Sequence, residues 1–271
     1  MPPERTADDT GNMASSSQMR PGSSTAGAHS TRTANKAVVI VALLVTALVK
    51  LTTIADAANV TAGPVDPRGF QFRHVSEETG EPVRYNPCAP IHYVINPRNA
   101  PPGGVDDAHT AVRMTSQATG LKFVYDGTTD EVFVHPRDSY QPDRYGERWA
   151  PILITWMSDP PGLPNHEVGR RPLGMGGSSY APNADDALVY VSGAATFDST
   201  ADLRSGFGGR TWGQVIIHEL GHVFGLDHYE GGDSVMHPSL GLRAAAWGEG
   251  DRAGLWELGV GNPCLETPAL P

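Results

Sequence analysis

The sequence predicts a domain of mixed α and β structure, and two observations carry that reading. Short apolar runs bounded by turn residues recur through the middle of the chain. Two longer stretches place apolar residues at helical spacing and end on glycine. The composition is that of a globular chain, 39% hydrophobic and 18% charged. A formal charge of −10 argues against a nucleic-acid partner. No internal repeat is evident, and the length allows one or two domains.

Residues 1–36 are rich in Ser, Thr, Ala and Gly without apolar periodicity, and read as a disordered polar leader. Ala37 to Val49 is then apolar apart from Thr46, between Lys36 and Lys50. Those 13 residues fall short of the roughly 20 that a membrane span needs. They fit a signal-peptide core, and Ala55-Asp56-Ala57 offers the cleavage site, so 37–57 is read as a signal peptide. The alternative is an uncleaved signal anchor continuing through Ile54. The protein is therefore expected to be secreted, with a membrane-anchored form as the alternative.

Residues 58–87 form a short N-terminal segment in which Gly69–His74 and Glu81–Tyr85 are candidate strands around the Glu78-Thr79-Gly80 turn. Ile91–Asn96 is a better strand, ended by Pro97 and the Pro101-Pro102-Gly103-Gly104 turn. Val105–Thr119 reads as a helix with Val105, Ala108, Val112 and Thr115 on one face and Gly120 as its stop. Leu121–Tyr125 and Pro151–Met157 read as strands, 158–187 as a long irregular insert, and Ala187–Ser192 and Ala194–Phe197 as two short strands. Asp251–Leu258 reads as a closing helix.

The chemistry concentrates in His218-Glu219-Leu220-Gly221-His222-Val223-Phe224-Gly225-Leu226-Asp227-His228. On a helix, His218 and His222 share one face and can reach one metal ion, with Glu219 beside them to touch a water there. Thr211-Trp212-Gly213-Gln214 has capping-box spacing, with Thr211 as N-cap. Val215, Ile216, Leu220 and Val223 supply an apolar face. Gly225 stops the helix, so that the chain can turn and deliver His228 as third ligand. Three protein ligands leave a fourth position for water, the catalytic arrangement.

Downstream lies Ser234-Val235-Met236-His237-Pro238. The long histidine motif followed by S-V-M-x-P resembles the metzincin zinc proteases, and H-E-L-G-H-V-F-G-L-D-H is most similar to the matrix metalloproteases, or matrixins. The likeness covers roughly Cys88 to Gly259 in element order. It includes Ala118-Thr119-Gly120-Leu121-Lys122-Phe123 and the start of the last helix at Asp251-Arg252-Ala253-Gly254-Leu255. It implies an α+β fold with α/β/α-like zincin layers: a twisted mixed sheet, an active-site helix, a methionine turn and a C-terminal helix, with 88–264 as catalytic domain and 265–271 as tail. It implies a zinc-dependent endopeptidase of bacterial-type secreted form, acting on protein or peptide substrates. One catalytic zinc would be held by His218, His222 and His228, Glu219 would be the base, and Met236 a hydrophobic floor. Calcium is left open, and a monomer is expected. The rival is a matrixin-like binding module with weak or no activity, which the intact Glu219 argues against.

The sequence departs from the family in places. No H-x-D or H-F-D pattern lies upstream, and His166 is the only histidine between His135 and His218, so a second, structural zinc is not expected. No P-R-C-G precedes the domain, so cysteine-based latency is not expected. Tyr229 follows the third histidine where serine is common, and Leu240 stands where the family places tyrosine. Asp227, Tyr229 and His237 neighbour the metal by sequence, with packing favoured over any supporting role. His74, His92, His109 and His135 read as ordinary histidines. The only cysteines, Cys88 and Cys264, bracket the catalytic domain, each after Asn-Pro. In an exported protein they are expected to form a disulfide. Two free thiols, or a thiol on the zinc, are the alternatives.

Overall fold

A computed structural model describes residues 60–161 and 172–271. The polar leader, the signal segment 37–57 and His166 lie outside the described residues. Four short strands come first, β1 (Val60–Thr61), β2 (Val65–Asp66), β3 (Phe70–Gln71) and β4 (Val75–Ser76). They pair as two antiparallel ribbons, β1 with β4 and β2 with β3. Then follow β5 (Ile91–Asn96), α1 (Gly104–Thr119), β6 (Phe123–Thr128), α2 (Pro142–Tyr145), β7 (Ile152–Met157), β8 (Gly174–Pro182), β9 (Leu188–Asp198), α3 (Trp212–Val223) and α4 (Glu249–Leu258). The class is α+β, as expected. Among the described residues no helix is long and apolar enough to cross a membrane.

The five-stranded sheet has the order β6-β5-β7-β9-β8. Its first four strands run parallel and β8 closes the edge antiparallel to β9. Alternation of side chains sorts the strands between two faces. Ile91, Tyr93 and Ile95 of β5, with Ile152, Ile154 and Trp156 of β7, face the main core, where α1, α3 and α4 pack. Val94, Leu153 and Ala194 point the other way and meet Phe133. The apolar face of α1 is Ala108, Ala111, Val112 and Thr115, all buried. Gly120 ends it at φ 71°, as its stop signal requires.

Several boundaries moved. The strand expected at Leu121–Tyr125 starts at Phe123, because Leu121 is buried in the turn where its N–H donates to Thr119 Oγ1 at 3.1 Å. The stretch 158–187 is not wholly irregular, since it contains the nine-residue β8. The two short strands after it are one, β9, running through Gly193. That glycine marks a close approach rather than a break: a Cβ there would lie 2.5 Å from Ser178 Oγ.

The segment 60–87 is packed into the domain. Phe70, Val83 and Tyr85 are buried in the main core. Its backbone clasps the loop after α3: Asp227 N–H donates to Gln71 O at 2.8 Å, and Arg73 N–H to Gly225 O at 2.8 Å. Cys88 and Cys264 are disulfide-bonded, with Cα atoms 5.4 Å apart. The tail beyond is held down too, since Asn183 Nδ2 donates to Glu266 O and Trp149 Nε1 to Pro268 O.

Candidate metal centre

Helix α3 carries the first two histidines because its remaining faces belong in the core. Trp212, Val215, Ile216, Leu220 and Val223 are all buried. Thr211 is the N-cap residue, but its hydroxyl donates to Gly208 O at 2.9 Å instead of closing a capping box. Gln214 reaches past it, its Oε1 accepting from Arg210 N–H at 2.8 Å. Gly225, at φ 100°, turns the chain. The turn then returns His228 beneath the helix.

The three imidazoles converge. Nε2 of His228 lies 3.3 Å from Nε2 of His218 and 3.2 Å from Nε2 of His222. A tetrahedral zinc with bonds of about 2.0–2.1 Å needs ligand nitrogens roughly 3.3–3.4 Å apart. The proton positions fit as well. His218 Nδ1 lies 2.8 Å from Val235 O, and His222 Nδ1 lies 2.8 Å from Leu226 O. A carbonyl only accepts, so each Nδ1 carries the proton and each Nε2 presents a lone pair. Burial favours the neutral rings: it holds His218 down to about 4 and His222 well below its ordinary value. Burial also lowers His228, against the pull of Asp227. Lone pairs facing one another at this range repel unless a cation lies between them. The donor set therefore fits a metal ion, and among the described residues it is the one group of three or more His, Cys, Asp or Glu that does.

Glu219 is buried on the flank of α3. Burial pushes its carboxyl up to about 8, opposed by the nearby Arg73 charge and by the Gly176 N–H donated to it. Strand β8 makes that contact. A Cβ on Gly174 would lie 2.9 Å from Glu219 Cγ, and one on Gly176 only 2.0 Å from Glu219 O. Any side chain at Gly176 would push the strand off the helix.

Met236 forms the floor. It is 1% exposed, and a Cβ on Gly221 would lie 2.2 Å from its sulfur. The turn that presents it hangs on Asp251 in the first turn of α4, which is fully buried. Its carboxylate accepts from Ser234 Oγ at 2.6 Å and from the N–H groups of Val235 and Gly248 at 2.8 Å each. Val235 in turn orients His218, so a carboxylate on α4 fixes a ring on α3 through one peptide unit.

Asp227 accepts the His228 N–H at 2.8 Å, which ties the turn that carries the third histidine. Tyr229 packs its ring against Gly69, and His237 accepts the Ser239 N–H. His74, His92, His109 and His135 do not join the cluster. His74 meets Tyr190 OH, His92 pairs with Asp126, and His109 meets Tyr93 OH. Sequence reasoning missed Asp251 and the glycines of β8 as parts of the site. A position three residues inside a helix start was the available signal for Asp251. For β8 it was glycine repeated at alternate positions.

Residues 167–258 match the family model described as matrixin. No curated protein matches the chain at a significant level. Matrixins are zinc metalloproteases, which agrees with the histidine cluster. The matched stretch takes in β8, β9, α3, the methionine turn and α4, and with this α+β fold it supports a matrixin-like domain.

Proposed function

We propose that the protein is a secreted zinc-dependent endopeptidase. The observation that carries this reading is three neutral imidazole nitrogens aimed at one point, with a buried carboxyl, Glu219, beside them. His218, His222 and His228 would hold one zinc, which when bound supplies a Lewis acid that polarises a peptide carbonyl and acidifies water. Glu219 takes the proton from the attacking water and passes it to the leaving amine. Its burial shields the transferred proton from competing solvent. Edge strand β8 offers the seat for the substrate backbone. A peptide added antiparallel along it would carry its scissile bond past Gly174 and Gly176 to Glu219.

Export follows from the apolar run 37–49 with cleavage near Ala57, and the Cys88–Cys264 bridge suits an oxidising compartment. The experiment is metal analysis and casein cleavage on the purified protein and its Glu219→Ala variant. The proposal expects close to one zinc in both, with cleavage lost at least a hundredfold in the variant. Cleavage above a few per cent of wild type in Glu219→Ala would remove the assigned base. Two tightly held zincs would overturn the single-site reading.

A further inference from the structure

The clasp of residues 71–73 on the loop after α3 brings a cation to the site that the chemistry above does not use. Arg73 N–H donates to Gly225 O at 2.8 Å, and Phe72 bridges Leu226, so this side chain is set by the turn that presents His228. Arg73 is partly buried, and among the described residues no carboxylate pairs with its guanidinium. It also lines a cavity of about 240 Å³ at the β8 edge, bounded by Met175–Ser179, by Ser192–Ala194 of β9 and by the loop from Phe133 to Arg137. Of the other basic side chains that line it, Arg137 is bound into the Glu131 carboxylate and His74 Nδ1 meets Tyr190 OH, while His135 lies beside Phe133.

Resting on the peptidase reading, we propose that Arg73 is a specificity-determining residue that selects substrates bearing a carboxylate side chain close to the scissile bond. The strand direction says on which side. Glu219 touches β8 at Gly174 and Gly176, and the Arg73 cavity borders the strand from Met175 on to Ser179. A substrate antiparallel to β8 has its earlier residues beside the later residues of the strand. The acidic residue therefore lies on the acyl side, N-terminal to the bond that breaks. A half-buried guanidinium that pairs with no carboxylate among the described residues favours such a substrate, because the bound acid supplies a partner.

The test uses short quenched-fluorescence peptides that differ only in Asp against Asn, placed on the acyl side or on the leaving-amine side. The zinc-loaded wild type should cleave the acyl-side Asp peptide with kcat/KM about tenfold above its Asn twin. It should show no such ratio on the other side. In Arg73→Gln the ratio should fall to about one, and in Arg73→Lys it should lie between the two, with zinc content measured throughout. A wild-type ratio of one, a ratio unchanged in Arg73→Gln, or equal loss on both peptides would overturn the proposal. A binding arm separates it from the peptidase reading. Anisotropy with the zinc-loaded Glu219→Ala protein reads the Asp preference without turnover. Acid-selective binding with no cleavage by wild type retires the peptidase and keeps Arg73. Cleavage without selectivity does the reverse.

Discussion

Two buried glutamates teach opposite lessons. Glu131 and Glu219 are 5% and 7% exposed, yet the protein treats them differently. Glu131 lies in the loop between β6 and α2, over the sheet face that the helices leave free. Burial alone would raise its carboxyl, but hydrogen bonds from Arg137, Tyr145 and Gln141 more than reverse that and hold it below the ordinary range. Arg137 is satisfied in turn by Ser192 Oγ, Gly193 O and Pro151 O. Among the described residues Glu219 has no such side-chain partner. One backbone N–H and a more distant arginine leave burial dominant, and the carboxyl rises to about 8. A buried acid whose lone pairs are all used is a structural strut. One left short of partners has a displaced proton affinity, which marks it as a candidate for proton transfer.

Exchanging the two acids for amides breaks this comparison most directly. Glu219→Gln should cost proteolysis a hundredfold or more while leaving zinc and fold in place, because only the proton carrier is gone. Glu131→Gln should do the reverse. It leaves Arg137 buried without a counter-charge, a loss of about 3–5 kcal/mol in unfolding free energy. The cleavage rate per folded molecule should stay near wild type. Denaturant melts read beside casein turnover decide it, and two variants alike in both readouts would end the distinction.

The signs of the two shifts make a second test in the metal-free protein. Glu219 has its folded pKa raised from 4.5 to about 8, so its stabilising contribution is complete below 4.5 and is lost as pH rises through 8. Glu131 has its folded pKa lowered from 4.5, so its contribution is present above 4.5 and lost as pH falls through the folded value. The melting temperature of chelated Glu219→Gln should therefore decline less than wild type between pH 4.5 and 8. Chelated Glu131→Gln should lose the acid limb instead. An unchanged slope in Glu219→Gln would show that its carboxyl is not held protonated.

How much of this contrast was legible in the sequence depended on spacing. The histidine cluster, Glu219 and the methionine turn could be read because each demands fixed offsets along one helix and its exit. Strand β5 and helix α1 were legible through apolar periodicity bounded by Pro and Gly. Strand β8 was hidden because the residues that fit it against α3 are glycines, which read as loop. The Glu131–Arg137 pair and Asp251 were hidden for another reason. Their meaning comes from partners far along the chain, such as Ser192 for Arg137 and Val235 for Asp251. No local pattern announces such partners.

The disulfide sharpens the comparison from a distance. Cys88 and Cys264 are 176 residues apart and touch neither glutamate, so their bond acts on the unfolded chain. Replacing both by serine should cost about 2–5 kcal/mol. Zinc content and turnover at low temperature should persist. Loss of zinc in the double variant would show that the clasp of the N-terminal segment, and not the histidine loop alone, holds the metal site together.

The smallest effect is expected at the floor of the site. Met236 is buried under α3, its sulfur against Gly221, and the peptide units around it do the positioning: Val235 O orients His218, and Met236 O accepts the Tyr229 N–H. The side chain itself is a filler of nearly leucine volume, and exchanges of that kind usually cost less than about 1.5 kcal/mol. Met236→Leu should therefore keep one zinc and most of the turnover, with a melting point lower by a few degrees. Met236→Ala should cost about 2–5 kcal/mol through the cavity it leaves. If Met236→Leu instead released zinc at unchanged stability, the sulfur would have an electronic part in the metal site, and the partition between the groups that react and the groups that hold them would have to be redrawn.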